Sequence, residues 1–431
     1  MASAPTGTRR GLKSLDVRAA VVETGLVKQV IARLAASGDA RNAENDVDSV
    51  VRATGRPRSR RRFDDRPLLV FWEMTKACDL ACFHCRASAQ PTPAPDELSE
   101  AEGRALIDEL SSLGSPRPIL ILTGGDCLKR RDLVDLVAYA SQHRVAVAVA
   151  PSVTTLLNEE TLHALRQHGV KSMSLSLDGA DARVHDGVRG VDGHFDATVR
   201  AIATLKRCGF SVQVNTTVMS ANIEQLADIA GLLHELEVDI WEVFFLIATG
   251  RGTDVLATTP RENEDICNFL VDASRYDFTV RTVEAPFFRR VAVERRGEDD
   301  AVEGCANSLY ARLRARLVDR LGEPGAPART TSAATRDGKG IIFVAANGDV
   351  YPSGFLPLRL GNVRERPLTE IYRDHPLLRQ IRDAAFSGTC GTCVYAQLCG
   401  GSRARAYAAS GDPLGSDPGC LWVETAKLAV S

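Results

Sequence analysis

From Arg66 onward, short apolar runs alternate with longer segments whose apolar residues recur every three or four positions. The first run, RPLLVFWEMT (Arg66 to Thr75), has the length and the apolar content of a buried strand. SEAEGRALIDELSSLG (Ser99 to Gly114) then carries helical spacing, with Ser99 placed to cap the helix and Glu102 three residues on, the pairing of a capping box. The alternation repeats. PILILTGG (Pro118 to Gly125) precedes a helix over Leu133 to His143, VAVAVAPSV (Val145 to Val153) one over Glu159 to His168, and SMSLSLDG (Ser172 to Gly179) one over Phe195 to Cys208. SVQVNTTVM (Ser211 to Met219) and IWEVFFLIATG (Ile240 to Gly250) add a fifth and sixth strand around a helix over Ile223 to Leu236. Near-continuous apolar strands separated by amphipathic helices predict a parallel sheet covered by helices.

A doubly wound open sheet and a barrel both fit that order, and the placement of polar motifs separates them. Cysteines follow the first strand, Gly124 to Cys127 end the second, Asp178 and Gly179 the fourth, and Thr249 to Arg251 the sixth. A barrel collects its chemistry at the C-terminal ends of many strands, whereas an open sheet concentrates it at one switch point. The expected fold is α/β: a partial (β/α)6 TIM-like barrel over residues 66–282. Beyond Thr282 the rhythm stops. A helical, arginine-rich segment (Ser308 to Leu321) makes 283–324 a helical connector, and GEPGAPARTTSAATRDGKG (Gly322 to Gly340) reads as a mobile linker or lid. IIFVAANGDVYPSGFL then reads as a β-hairpin turning at Asn347 and Gly348, which opens a small C-terminal α+β domain over 325–431. Residues 1–65 are expected to form a helical or flexible extension of no readable role.

The formal net charge is only -2, which gives no reason to expect electrostatic binding to nucleic acid or a membrane surface. The basic run Arg56 to Arg62 reads as a solvated linker. No apolar stretch follows the opening charges and no run approaches about 18 apolar residues, so a cytoplasmic protein is expected. That compartment keeps thiols reduced, so eleven cysteines point to metal or catalysis before disulfides. Seven of them cluster at the two ends of the barrel-and-domain unit, while Cys127, Cys208, Cys267 and Cys305 are scattered between. Cys208 and Cys267 fall on helices and read as structural, as does a single Cys305.

KACDLACFHCRAS (Lys76 to Ser88) holds Cys78, Cys82 and Cys85 with three and then two residues between them. A four-iron, four-sulfur (4Fe–4S) cluster ordinarily takes four thiolates; three would leave one iron open to a ligand. Zinc is the competing occupant, but structural zinc sites are closed by four ligands. His84 could supply the fourth only from within the same tight loop.

C-x3-C-x2-C after the first strand of a barrel resembles the radical S-adenosylmethionine (SAM) superfamily. The resemblance implies that Cys78, Cys82 and Cys85 bind a 4Fe–4S cluster whose open iron chelates SAM, and that one electron cleaves SAM to a 5′-deoxyadenosyl radical that abstracts a substrate hydrogen. His84 takes the position of the residue that packs on the adenine. TGGDC (Thr123 to Cys127) stands where the family has Gly-Gly-Glu-Pro, so Gly124, Gly125 and Asp126 match positions that receive the SAM amino group. Ser176, Asp178 and Asn215 match carboxylate and ribose contacts, although polar residues at strand ends also satisfy nearby backbone. Thr249 and Arg251, in ATGRG, match a segment whose backbone meets the adenine; Arg251 could instead face the substrate. Cys127 borders the same pocket.

CGTCVYAQLCGGSRARAYAASGDPLGSDPGC holds Cys390, Cys393, Cys399 and Cys420 and is similar to a SPASM-type domain. Ser353 stands where many relatives carry a further cysteine, which implies one auxiliary 4Fe–4S cluster; zinc is a second possible occupant. GGSRARAYAASGD and SLDGADARVHDGVRG most resemble the branch with the haem d1 and alternative haem synthesis enzymes and the PQQ and mycofactocin maturases. The expected activity is hydrogen abstraction with an oxidative outcome: peptide maturation, decarboxylation or cross-linking, with tetrapyrrole side-chain or small-metabolite chemistry as the alternative. Expected partners are the substrate, a flavodoxin- or ferredoxin-type reductant and, for a peptide, a separate leader-binding protein. No residue is assigned to catalysis. A cysteine-rich redox sensor or electron carrier is the non-enzymatic alternative.

Overall fold

Seven parallel strands follow one another in chain order: β1 (Leu69–Glu73), β2 (Ile119–Thr123), β3 (Ala146–Val149), β4 (Ser172–Ser176), β5 (Ser211–Val218), β6 (Ile240–Phe245) and β7 (Thr279–Val283). The computed structural model describes residues 63–252, 256–295, 307–330 and 335–428. Most of the expected N-terminal extension, the run Arg56 to Arg62 and Cys305 lie outside the described residues.

Between the strands run α1 (Glu100–Ser112), α2 (Leu133–Gln142), α3 (Glu159–Gln167), α4 (Ala182–Arg189), α5 (His194–Arg207), α6 (Leu226–Glu235) and α7 (Pro260–Ala273). The capping box expected at α1 is formed: Glu102 N–H donates to Ser99 Oγ at 3.3 Å and Ser99 N–H to Glu102 Oε2 at 2.7 Å. Along each strand, alternate side chains turn to the helices. Val70 and Trp72 of β1, Leu120 and Leu122 of β2, Met173 and Leu175 of β4 and Trp241 and Val243 of β6 are all almost fully buried, each contributing roughly 1.5–3 kcal/mol by leaving water. The residues between them face the other way, into the interior of the curved sheet, a chamber where Phe244 of β6 meets Phe355 with ring centroids 6.1 Å apart.

Four features depart from the expectation. A seventh strand, β7, extends the sheet past the sixth, and the short α4 precedes α5. The segment expected to be a mobile linker is pinned over part of its length, because Val280 N–H donates to Arg329 O at 3.1 Å and Arg329 N–H to Ser274 O at 2.8 Å. The hairpin, β9 (Gly340–Val344) and β10 (Asp349–Tyr351) after the short β8 (Arg336–Asp337), pairs through β9 with β1 in parallel, Phe71 opposite Phe343. It therefore continues the barrel sheet, in the order β11-β10-β9-β1-β2-β3-β4-β5-β6-β7, with β11 at Gly361–Asn362.

Of the connecting helices, α8 (Phe288–Glu294) leads toward the C-terminal cysteines and α9 (Leu309–Leu321) packs on α6 and α7. The arginines of α9 clamp it there, Arg320 Nη2 standing 2.7 Å from Glu235 Oε1. The chain ends with α10 (Leu368–Asp374), α11 (Pro376–Asp383), α12 (Gly388–Thr392), α13 (Arg403–Ser410) and α14 (Leu421–Leu428).

Candidate active site

The loop after β1 carries Cys78, Cys82 and Cys85, and its backbone is held from three sides. From β2, Gly125 N–H donates to Thr75 O at 2.8 Å and Asp126 N–H to Ala77 O at 2.7 Å. The approach leaves no room for side chains: a Cβ on Gly125 would lie 2.4 Å from Ala77 O, and one on Gly124, whose φ is +144°, 2.5 Å from Thr75 O. These glycines admit the cysteine loop's own backbone. From β6, Arg251 N–H donates to Cys85 O at 3.0 Å and Arg251 Nε to Cys82 O at 2.9 Å, with Nη1 3.3 Å from Ala89 O. Arg251 thus straps the loop through Nε and Nη1, while its buried Nη2 has no partner among the described residues. Thr249 lies in the tight turn beside it, accepting from Gly252 N–H at 3.0 Å. From the base, Arg86 pairs with the buried Glu73 at 3.2 Å.

Two of the sulfurs have donors. Leu80 N–H stands 3.3 Å from Cys78 Sγ and Arg189 Nη1 3.6 Å from Cys82 Sγ, while Ser152 Oγ, which donates to Gly125 O at 3.0 Å, lies 3.5 Å from Cys78 Sγ. Burial pushes the Cys82 thiol above its usual range, partly offset by Arg189. The sequence pattern did not single out Arg189 or Ser152. The mark of Arg189 was a cation at the end of α4, just before Gly190 in the left-handed region.

Two carboxylates expected to meet a ligand are occupied by the protein. Asp126 is fully buried; its oxygens accept from Leu128 N–H (3.1 Å), Ser152 N–H (3.3 Å) and Thr154 Oγ1 (2.8 Å). Burial raises its carboxyl, and those donors pull it back only in part. Asp178, also fully buried, pairs with Arg189 and accepts from Thr217 N–H at 2.7 Å. Burial alone would raise its carboxyl, but Arg189, His84 and His185 bring it below the ordinary value. Its N–H donates to His185 Nδ1 at 3.1 Å, and His185 in turn meets His194 at 2.8 Å, a second buried layer behind the first. His84 Nε2 lies 3.7 Å from Asp178, while its buried Nδ1 has no partner. Burial lowers its pKa to about 4, leaving a neutral ring at pH 7.

Ser176 and Asn215 face the chamber. Register places Ser176, Asn215, Glu242 and Arg281 side by side on β4, β5, β6 and β7, one polar row across four strands. Gln213 Nε2 donates to both Asn215 Oδ1 and Glu242 Oε2 at 2.8 Å. Burial raises the Glu242 carboxyl, opposed by Arg281 and Gln213. On β1, β9 and β10 the same face carries Phe71, Phe343 and Tyr351, the last two with ring centroids 6.4 Å apart. Cys127, by contrast, belongs to the hydrophobic core and is fully buried, as is Cys267.

At the far end, Cys390, Cys393, Cys399 and Cys420 influence one another electrostatically as a group. Asp417 N–H stands 3.4 Å from Cys390 Sγ and Gly401 N–H 3.5 Å from Cys399 Sγ. Burial pushes Cys399 up to about 11. Among the described residues, no three His, Cys, Asp or Glu side chains converge as a single ion would require. A four-iron core stands between its thiolates, so the ligands of a cube need not meet at one point. Cys78 and Cys82 at one end and Cys390 and Cys399 at the other, buried and already receiving N–H donors, fit thiolate ligands of such a core, whose properties depend on hydrogen bonds to sulfur.

Comparison with known proteins agrees with this geometry. The radical SAM superfamily matches residues 72–233, and the iron–sulfur cluster-binding SPASM domain residues 336–394. The chain belongs to the radical SAM superfamily and is an enzyme that uses a 4Fe–4S cluster and SAM, with auxiliary iron–sulfur binding in its SPASM domain. It is 35% identical to an AdoMet-dependent heme synthase of Methanosarcina barkeri, over 83% of this chain and 97% of that protein. To a mycofactocin maturase of Mycobacterium tuberculosis it is 29% identical, over 83% of each. Among solved structures, Streptococcus suis SuiB bound to its precursor peptide SuiA superposes with a TM-score of 0.59 at 16% identity, covering 83% of this chain and 76% of that one. The enzyme anSMEcpe with bound AdoMet gives 0.59 at 15%, covering 84% and 96%. These two establish the shared fold. No helix among the described residues is long and apolar enough to cross a membrane.

Proposed function

We propose that Cys78, Cys82 and Cys85 hold the cluster that binds SAM, that Cys390, Cys393, Cys399 and Cys420 hold one auxiliary 4Fe–4S cluster, and that the substrate is a carboxylate-bearing side chain of a haem-type tetrapyrrole. The observation that carries the substrate class is the 35% identity to a heme synthase along 97% of that protein, against 29% to the maturase. The chamber supports it. Phe71 and Tyr351, both partly exposed, offer an aromatic wall for a flat macrocycle, backed by the buried Phe343, and Arg281 on the facing strands offers a cation for a carboxylate.

When bound, the cluster and SAM supply a 5′-deoxyadenosyl radical that takes one hydrogen atom from the substrate. The chain's own groups prepare that step. Arg251 and Gly125 fix the cysteine loop, the Asp178–Arg189 pair directs an N–H to Cys82 Sγ, and the neutral His84 ring offers an apolar surface near the same loop. A substrate radical on the carbon next to a CH2-carboxylate becomes an alkene by losing CO2 and one electron, which an auxiliary cluster held by Cys390, Cys393, Cys399 and Cys420 would accept. A flavodoxin- or ferredoxin-type donor supplies the electron that opens each cycle. The free thiols suit the reducing cytoplasm.

The test uses anaerobically reconstituted protein, SAM and dithionite. Release of 5′-deoxyadenosine is expected even without substrate, and a haem-type tetrapyrrole should lose CO2 and two hydrogens by mass spectrometry. Absence of 5′-deoxyadenosine would favour a redox sensor or electron carrier. Its release with an unchanged tetrapyrrole and a modified precursor peptide would move the substrate to the peptide class, with a separate leader-binding partner.

A further inference from the structure

Three arginines surround the C-terminal cysteines without a carboxylate of their own. Arg403, wholly buried at the start of α13, donates to Gly401 O (3.2 Å), Pro413 O (3.0 Å) and Gly415 O (2.7 Å), and its Nη2 points at Cys390 Sγ from 3.9 Å. Arg336, 5% exposed, donates to Ala396 O (3.0 Å), Cys399 O (3.1 Å) and Gln397 O (2.8 Å). Arg289, partly exposed on α8, reaches Leu398 O at 3.2 Å and Thr335 O. Their acceptors are therefore main-chain carbonyls, all but Thr335 O lying in the segments that carry the cysteines, and Arg336 and Arg403 also lie over the Phe386 ring at 5.4 and 4.4 Å.

Room is made for them. Gly400 and Gly401 sit at φ +70° and +64°; a Cβ on Gly400 would lie 1.4 Å from Arg336 Nη1, and one on Gly401 2.5 Å from Arg403 Nη2 and 3.1 Å from Cys390 Sγ. Neighbouring cations are neutralised otherwise. Arg290, 4.8 Å over the Trp422 ring, pairs with Glu264 and Glu294, and Arg405 pairs with Asp417. Asp337 lies within electrostatic reach of all three unpaired arginines, but no ion pair joins it to any of them among the described residues.

A buried cation held by carbonyls and an aromatic ring alone is costly unless a negative charge lies close. Four thiolates on an oxidised four-iron core carry net negative charge, and reduction adds one more. We propose that Arg289, Arg336 and Arg403 are the fixed counter-charge of the auxiliary cluster and raise its reduction potential, so that it accepts the electron the substrate gives up. The front triad differs in degree: Arg189 near Cys82 is paired with Asp178, which leaves Arg251, bonded to Cys82 O and Ala89 O, as the arginine there without an ion pair among the described residues, against three at the auxiliary site. Two centres in one chain thus receive unequal electrostatic settings, the auxiliary site holding more uncancelled positive charge and therefore the higher potential. Net charge and hydrogen bonds to sulfur are what set such potentials.

This inference rests on the oxidative reading above and is tested apart from it. The full chain carrying Cys78→Ala, Cys82→Ala and Cys85→Ala together is reconstituted, so that only the auxiliary cluster remains, and its midpoint is read by EPR redox titration without substrate. Arg289→Gln, Arg336→Gln and Arg403→Gln should each weaken reduction about tenfold or more, a fall of about 59 mV per factor of ten for one electron. Arg403→Lys, which keeps the charge, should hold most of the potential. Iron and sulfide content are measured beside each titration. If the buried variants load poorly, the partly exposed Arg289→Gln still decides the matter. Unchanged midpoints in loaded variants, or zinc in place of iron and sulfide in the parent chain, would overturn the proposal. An unreactive tetrapyrrole would overturn the substrate reading and leave these midpoints as they are.

Discussion

Gly250→Ala addresses how the cysteine loop is held. Gly250 adopts φ +60°, and a Cβ there would stand 2.3 Å from Arg86 O and 2.4 Å from Cys85 O. The left-handed conformation costs an alanine about 1–2 kcal/mol, and forcing a methyl against rigid backbone adds about 1–3 kcal/mol. The total is about 2–5 kcal/mol, directed at the loop between Cys85 and Arg86. Gly193→Ala is the control, because Gly193 has φ +76° and nothing within 4 Å of the added Cβ; it should lose only the conformational part. Denaturant unfolding of both variants, with iron counted after anaerobic reconstitution, separates the two contributions. Gly250→Ala should be the less stable of the pair and should lose iron at the front site while the auxiliary iron stays. Equal losses in the two variants, with full iron in both, would refute the claim that the β6 turn buttresses the cysteine loop.

Arg251→Met removes the guanidinium that bonds Cys82 O and Ala89 O, each such charged hydrogen bond being worth about 1.5–3 kcal/mol; iron per chain should fall at the front site alone, and normal loading would contradict the strap. Glu102 links α1 to Arg364, and its carboxyl is lowered to about 2 by Arg364 first and then by the Ser99 N–H. Because that pKa lies below the unfolded value, the stabilisation is complete above about pH 5 and fades as pH falls toward 2. The site is exposed, so Glu102→Gln should cost only about 0.5–1 kcal/mol at pH 7. Urea unfolding at pH 7 and pH 3.5 should show the gap between wild type and variant shrinking at the lower pH; a constant gap would contradict it. Arg281→Ala should weaken tetrapyrrole binding in optical titrations while leaving substrate-free 5′-deoxyadenosine release intact, and unaltered binding would remove the carboxylate role.

Patterns repeated within a few residues are legible in the chain by itself. Six strands, the helices between them, the capping box at Ser99 and Glu102 and the Asn347–Gly348 turn follow from local periodicity and turn chemistry, and both cysteine groups announce themselves by spacing. The seventh strand did not, since TVRTV mixes polar and apolar residues without a continuous run. Nor did α4, eight residues long with His185 and Arg189 turned inward. The pairing of β9 with β1 joins positions roughly 270 residues apart, which no local window sees.

The same limit governed the site. Asp126 and Asp178 were recognisable as important acids, but only packing revealed that N–H donors, Thr154 and Arg189 already occupy their oxygens. Arg189 meets Cys82 across 107 residues, and Arg336 grips the loop of Cys399 across 63. Residue type and spacing declare which groups can ligate metal or carry charge, because that is chemistry carried by each side chain and its near neighbours. Which charge is cancelled and which is left to face a sulfur is decided by elements brought together from distant parts of the chain, and tertiary packing alone sets it.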